Sequence, residues 1–180
     1  MAKTKAWIAS NGRWRSRIVG HGEAAPSDLQ SNAANWRSHP LSQRAALAGV
    51  LDEVGWVQDV IVNRRTGNLV DGHLRLDLAL ERKEPSIPVV YVDVSEDEER
   101  KLLVTLDPLA GMATADPAAL DALLTSVQTE SEAVQALLAK LGEDSGVRPP
   151  NFEPVGIEDQ SRLDQKASVT CPECGCEFTP

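Results

Sequence analysis

The chain has 180 residues, 42% of them apolar, with a formal net charge of −9. That composition suits one globular α/β-sized domain with appendages and excludes fibrous and membrane-embedded classes. No apolar run reaches the ~20 residues that cross a bilayer, so no membrane partner is expected. The cationic start also lacks the apolar stretch of a secretory signal.

Charge is unevenly spread along the chain. Residues 1–82 carry 11 Lys+Arg against 8 Asp+Glu, and residues 83–180 carry 7 against 19. Residues 1–22 hold five cations and no acid, with Trp7 and Trp14 among them. They are expected to form a flexible basic arm, able to touch phosphate locally. The stretch LSQRAALAGVLDEV, 41–54, predicts a helix with an apolar stripe of Leu47, Val50, Leu51 and Val54, stopped by Gly55. WVQDVIVN, 56–63, reads as a strand; RRTGN is a turn in which Gly67 takes positive φ, and NLV is a short returning strand. HLRLDLALE, 73–81, fits two readings. Its Leu residues alternate as in a strand, yet Leu74/Leu78 and Leu76/Leu80 are also helical i,i+4 pairs.

SIPVVYVDV, 86–94, predicts a buried strand. Ser95 with Glu98 forms a capping box for a helix to about Thr105. Asp116-Pro117 opens another helix, and Thr129 with Glu132 a third that ends before Gly142. The expected organisation is a basic arm (1–22), a mixed α/β (α+β) domain with a small mixed sheet and flanking helices (23–112), a helical extension (113–142), a linker (143–169) and a Cys-rich tail (170–180).

The corner LVDGHLR concentrates the chemistry. If 73–81 is a helix, Gly72 stands at its N-terminus, where free N–H groups and the dipole favour anions. Arg75, one turn in, can fold back as a bidentate phosphate clamp. Asp71 can hold Mg²⁺ or accept a proton from an attacking hydroxyl, and His73 can donate to a phosphoryl oxygen. The competing reading is an ordinary Asp-Gly turn followed by a solvated arginine.

The run from NWRSHP through ERKLLV resembles the N-terminal domain of the ParB/sulfiredoxin superfamily, over about residues 30–112. The resemblance lies in the order of Asn35 with Arg37, Gly55, the strand at 57–62, Gly72 with Arg75, and Ile87-Pro88-Val89. It implies the helical reading of 73–81. It also implies a nucleotide, CTP or ATP/ADP with Mg²⁺, bound at Asn35, Arg37, Gly72 and Arg75, with Asp71 and His73 as catalytic candidates, and DNA as an associated partner. Departures narrow this. Sulfiredoxins carry Cys where His73 stands, so thiol reductase chemistry is excluded. ParB CTPases have Arg where Leu74 stands, and TLDPLAGMA, 105–113, departs from their Asn/Gln/Arg-containing segment. The free serine kinases of this fold share Asp-Gly-His-x-Arg, matching Asp71, Gly72, His73 and Arg75, with Glu23 a candidate for the second acid. Short phage and prophage ParB-like proteins, commonly called nucleases, resemble the chain in linker and tail. A phosphotransferase and a non-enzymatic adaptor are the alternative readings.

All three cysteines fall in the last ten residues, so none staples the core, as suits a reducing, cytoplasmic compartment. Cys171-Pro-Glu-Cys174-Gly is half of a zinc-ribbon pattern, with Cys176 a third ligand. A second chain, as a homodimer, would supply the fourth ligand; the alternative is a disordered tail with free thiols.

Overall fold

The structure is a computed structural model and describes residues 14–147, 169, 170 and 176–178. It divides into two units, 1–148 and 149–180. In the first, seven elements build the α/β domain in the order β1 (Ile18–Ala24), α1 (Leu41–Val54), β2 (Val60–Asn63), β3 (Leu69–Asp71), α2 (His73–Arg82), β4 (Ile87–Val92) and α3 (Glu96–Gly111). The helical pair α4 (Pro117–Ser126) and α5 (Glu132–Asp144) follows. In the second unit, β5 (Val169–Thr170) pairs antiparallel with β6 (Glu177–Phe178).

The sheet runs β1-β4-β2-β3 and is mixed. β2 and β3 form an antiparallel hairpin, α2 crosses back, and β4 enters beside β2 in parallel, with Val60 opposite Val89 and Asn63 opposite Val92. β1 closes the other edge, antiparallel to β4. Part of the stretch expected to be a basic arm is therefore ordered structure. Ile18–Ala24 alternates little in hydrophobicity and gains its strand from ladder bonds to β4, which sequence propensity does not encode.

Alternation along the strands makes two apolar layers. On one face, Val60, Val62, Leu69, Ile87 and Val89 pack with Leu76 and Ala79 of α2. On the other, Val70, Val92 and Val94 pack with Ile61 and with Leu102 of α3. The sheet is thus covered on both sides, and α2 is a helix with Leu74, Leu76 and Leu78 all buried. That is why its sequence reads as strand and helix at once. Leu80 instead stays half-exposed, and Val54, placed in the stripe of α1, faces solvent.

Helix caps follow the sequence at α3, where both halves of the Ser95/Glu98 capping box form, and at α4, capped by Asp116. The third differs. Ser131, not Thr129, caps α5, and the helix runs past Gly142 to Asp144. Thr129 is recruited elsewhere: its hydroxyl donates to the Glu53 carboxylate, which also accepts the backbone N–H groups of Glu130 and Ser131. These contacts lower the Glu53 pKa below the ordinary range. A carboxylate at the end of α1 therefore completes the N-terminus of α5. Gly49 permits the approach, since a Cβ there would lie 2.2 Å from the Ser131 hydroxyl oxygen. Gly49→Ala is expected to lower stability by ~1–3 kcal/mol, read as an earlier urea midpoint; an unchanged midpoint would mean that α1 and α5 do not pack this closely.

Candidate functional site

The corner forms where β3 ends and α2 begins. Gly72 adopts φ 93°, a left-handed conformation that strains any other residue. A Cβ on it would meet Val60 Cγ1 at 2.7 Å and Arg75 Nη2 at 3.2 Å. The glycine thus lets α2 start directly against β2, and the arginine one turn later folds back over it. Arg75 Nη2 donates to Asp71 Oδ2 at 3.1 Å and to the Asp59 carbonyl at 3.4 Å, while Nη1 donates to Gln58 at 3.0 Å. No side chain caps the N-terminus of α2.

His73, the first residue of α2, is buried. Its Nε2 accepts the backbone N–H of Asn32 at 3.3 Å. The ring is therefore neutral there, and Nε2 is not the atom that could donate to a phosphoryl oxygen. Burial holds the His73 pKa below the ordinary value, against the raising fields of Asp71, Asp77 and Asp107.

From Asn32 a tight turn leads to the other two candidates. The Asn35 N–H donates to the Asn32 carbonyl at 3.0 Å, and the Arg37 N–H to Asn35 Oδ1 at 3.3 Å. Arg37 then reaches α3, with Nη1 2.9 Å from Asp107 Oδ2, and its guanidinium carbon lies 5.1 Å from the centre of the Trp36 ring. Trp36 Nε1 donates to the Leu103 carbonyl at 3.1 Å. So Asn35 and Arg37 are tied to His73 through one turn, and both Asp71 and Asp107, the partners of the two arginines, act on the same imidazole. Among the described residues, Arg37 Nε and Arg75 Nε are buried nitrogens without a hydrogen-bond partner.

Beneath the turn lies a residue read from sequence only as part of a capped helix start. Glu99 is 5% exposed. Its Oε1 accepts Asn32 Nδ2 at 2.8 Å, and its Oε2 accepts Asn63 Nδ2 at 2.5 Å and the Thr66 hydroxyl at 2.6 Å. Burial pushes its pKa up, but donors from Thr66, Asn63, Asn32 and Asn68 together prevail and hold it below the ordinary value. Asn63, fully buried at the end of β2, also donates to the Val94 carbonyl. Nothing in a first-turn glutamate distinguishes such a hub from a solvated cap. Gln58, Asp59 and Asp107 were likewise legible only once the chain was folded.

Other candidates fall outside the corner's hydrogen bonds. Glu23 Oε2 accepts the Ser86 hydroxyl, whereas its strand neighbour His21 lies 3.4 Å from Asp59 Oδ2. Of the three cysteines, Cys176 is exposed with a free thiol, and Cys171 and Cys174 lie outside the described residues. Among the described residues, no group of three or more His, Cys, Asp or Glu is gathered as a metal site. No helix there is long and apolar enough to cross a membrane.

Comparison with known proteins gives a relative in Escherichia coli K12, the ParB-like nuclease domain-containing protein YnaK. It is 30% identical over 74 residues, spanning 41% of this chain and 84% of that one. The chain belongs to the ParB-like family. No family model matches the sequence. Among solved structures, this ParB-like chain is similar to the C-terminally truncated chromosome-partitioning protein ParB from Caulobacter crescentus complexed with CTP-γ-S, with 18% identity and a TM-score of 0.46, covering 72% of this chain and 66% of that one. It is also similar to a Pnob8-like ParB-N domain, with 16% identity and a TM-score of 0.44, covering 89% and 56%. The chain thus spans about two thirds or less of those structures.

Two outcomes follow from the geometry. Gly72→Ala forces both a left-handed alanine and a clash with Val60, and is expected to cost more than ~1 kcal/mol in denaturant unfolding. The Glu99 pKa is lower folded than unfolded, so its contribution is full above the unfolded value and is lost as pH falls through the folded one. Wild type should therefore lose more stability than Glu99→Gln between about pH 5 and about pH 3; parallel acid titrations of the two would contradict the ionised assignment.

Proposed function

We propose that this ParB-like chain binds the phosphate chain of a nucleotide, with Mg²⁺, between the turn at 32–37 and the first turn of α2. The observation that carries the reading is the pair of buried, unpartnered Nε atoms on Arg37 and Arg75. A buried donor without an acceptor costs ~1–3 kcal/mol and calls for an explanation, a missing ion among them. Arg75 stands in the Asp-Gly corner and Arg37 in the Asn35–Arg37 pattern of the family resemblance, and that these two arginines carry such atoms supports anions that both could grip.

Each arginine meets a single carboxylate, Asp71 for Arg75 and Asp107 for Arg37. A phosphate, with more oxygens and more charge, can take Nε and an Nη together in the bidentate geometry guanidinium favours. Asp71, released, is then the carboxylate suited to Mg²⁺, which typically uses one or two carboxylates with phosphate oxygens and water. Arg75 must swing off Gly72 to expose the uncapped N–H groups of α2 to an anion. Asp71 as proton acceptor for phosphoryl transfer belongs to the same proposal. DNA association, the other expected partner, is less well supported. At the far end of β2 and β4, Arg15, Arg17 and Arg65 line an open groove of about 490 Å³, but Arg17 is engaged by Glu98 and Arg65 by Asp93.

Calorimetric titration with CTP, ATP and ADP plus Mg²⁺ tests the reading. One nucleotide should bind, and Arg37→Ala and Arg75→Ala should each weaken it roughly 10- to 100-fold. Arg100→Ala, which removes an exposed arginine paired with Glu96 and Asp97, should leave it unchanged. No binding at millimolar nucleotide, or both arginine variants binding as wild type, would rule the site out. Asp71→Ala with binding kept and phosphate release lost would mark a catalyst.

A further inference from the structure

We propose that Glu99 is a positioning residue for His73: acting through Asn32, it fixes the imidazole in the tautomer that carries its proton on Nδ1. The argument is one of forced donor and acceptor directions. An ionised carboxylate can only accept. Glu99 Oε1 therefore requires Asn32 to present its amide NH₂, at 2.8 Å. That leaves Asn32 Oδ1 as the acceptor for the Ala34 N–H at 2.9 Å. With both ends of its side chain held, Asn32 cannot flip its amide, and the turn is locked against α3. The backbone N–H of Asn32 is then aimed at His73 Nε2 at 3.3 Å. A backbone N–H cannot change role, so Nε2 must be the bare nitrogen and the proton must sit on Nδ1. Glu99, Asn32 and His73 are all less than 10% exposed, so water does not compete for any link.

Metal-bound histidines use the same logic, in which the bond to one ring nitrogen selects the tautomer at the other. Here the selecting group lies two links away. The use of Nδ1–H as the donor to a phosphoryl oxygen rests on the proposed nucleotide site; the tautomer itself does not.

The test is a long-range ¹H–¹⁵N correlation spectrum of the His73 ring in the full-length, ligand-free protein at neutral pH. Wild type should show one tautomer, with Nε2 at the shift of an unprotonated nitrogen. Glu99→Gln, which places a donor amide among donors, should give a mixture. Thr66→Val, which removes a different donor from Glu99 and leaves Asn32 in place, should keep the single tautomer. A protonated or mixed Nε2 in wild type overturns the proposal, even where Glu99→Gln fails to fold. So does an unmixed Nδ1–H tautomer in folded Glu99→Gln. Nucleotide titration of the same samples separates the two readings: Glu99→Gln should bind roughly three- to tenfold more weakly. If wild type binds no nucleotide, the phosphate site fails and the spectra alone judge the tautomer.

Discussion

A buried carboxylate held by neutral donors is the constraint around which this domain is arranged. Taking Glu99 out of water costs several kcal/mol unless its lone pairs are met. They are met by neutral donors drawn from two separate segments: Asn32 in the loop before α1, and Asn63 and Thr66 in the β2–β3 hairpin. The donors and the carboxylate come from distant parts of the chain, so satisfying the charge requires the loop, the hairpin and α3 to be in place together. The low dielectric that makes the unpaired charge expensive also strengthens each of these bonds.

The sheet supplies the rigid frame for that assembly. Its parallel β2–β4 pair is apolar on both faces, with α2 on one and α3 on the other. α2 starts hard against β2 because Gly72 removes the side chain that would collide with Val60. The polar hub sits on the α3 side and the arginine fold-back at the start of α2, and His73 is the residue that belongs to both. It reaches Glu99 through Asn32 and shares the field of Asp71 with Arg75.

Electrostatics at the corner are balanced rather than cationic. Arg75 faces Asp71, Arg37 faces Asp107, and Arg44 faces Asp77 and Glu81. A site balanced in this way has no bare positive field to draw anions in. It would bind by exchange, a phosphate displacing a carboxylate that a metal ion can then use. In the proposed site, the two buried Nε atoms would gain hydrogen bonds as well as charge contact from such an exchange.

Local chemistry alone was enough for much of the skeleton. Helix α1 ends at Gly55, the capping box opens α3, Asp116-Pro117 opens α4, and the apolar runs 60–63 and 87–92 are strands. These depend on periodicity, turn residues and caps within a few positions of one another. Asp71, Gly72 and Arg75 were also adjacent enough to be read as one corner, and the pattern from Asn35 to Val89 resembled the family. Tertiary structure decided the rest because it depends on partners far along the chain. Ile18–Ala24 is a strand only beside β4, Ser131 caps α5 only with Glu53 and Gly49 nearby, and Glu99 is a buried hub only when residues 32, 63 and 66 close around it. The direction His73 faces, and which of its nitrogens keeps the proton, came from the same source. A hydrogen bond between residues 41 positions apart leaves no trace in the spacing of either one.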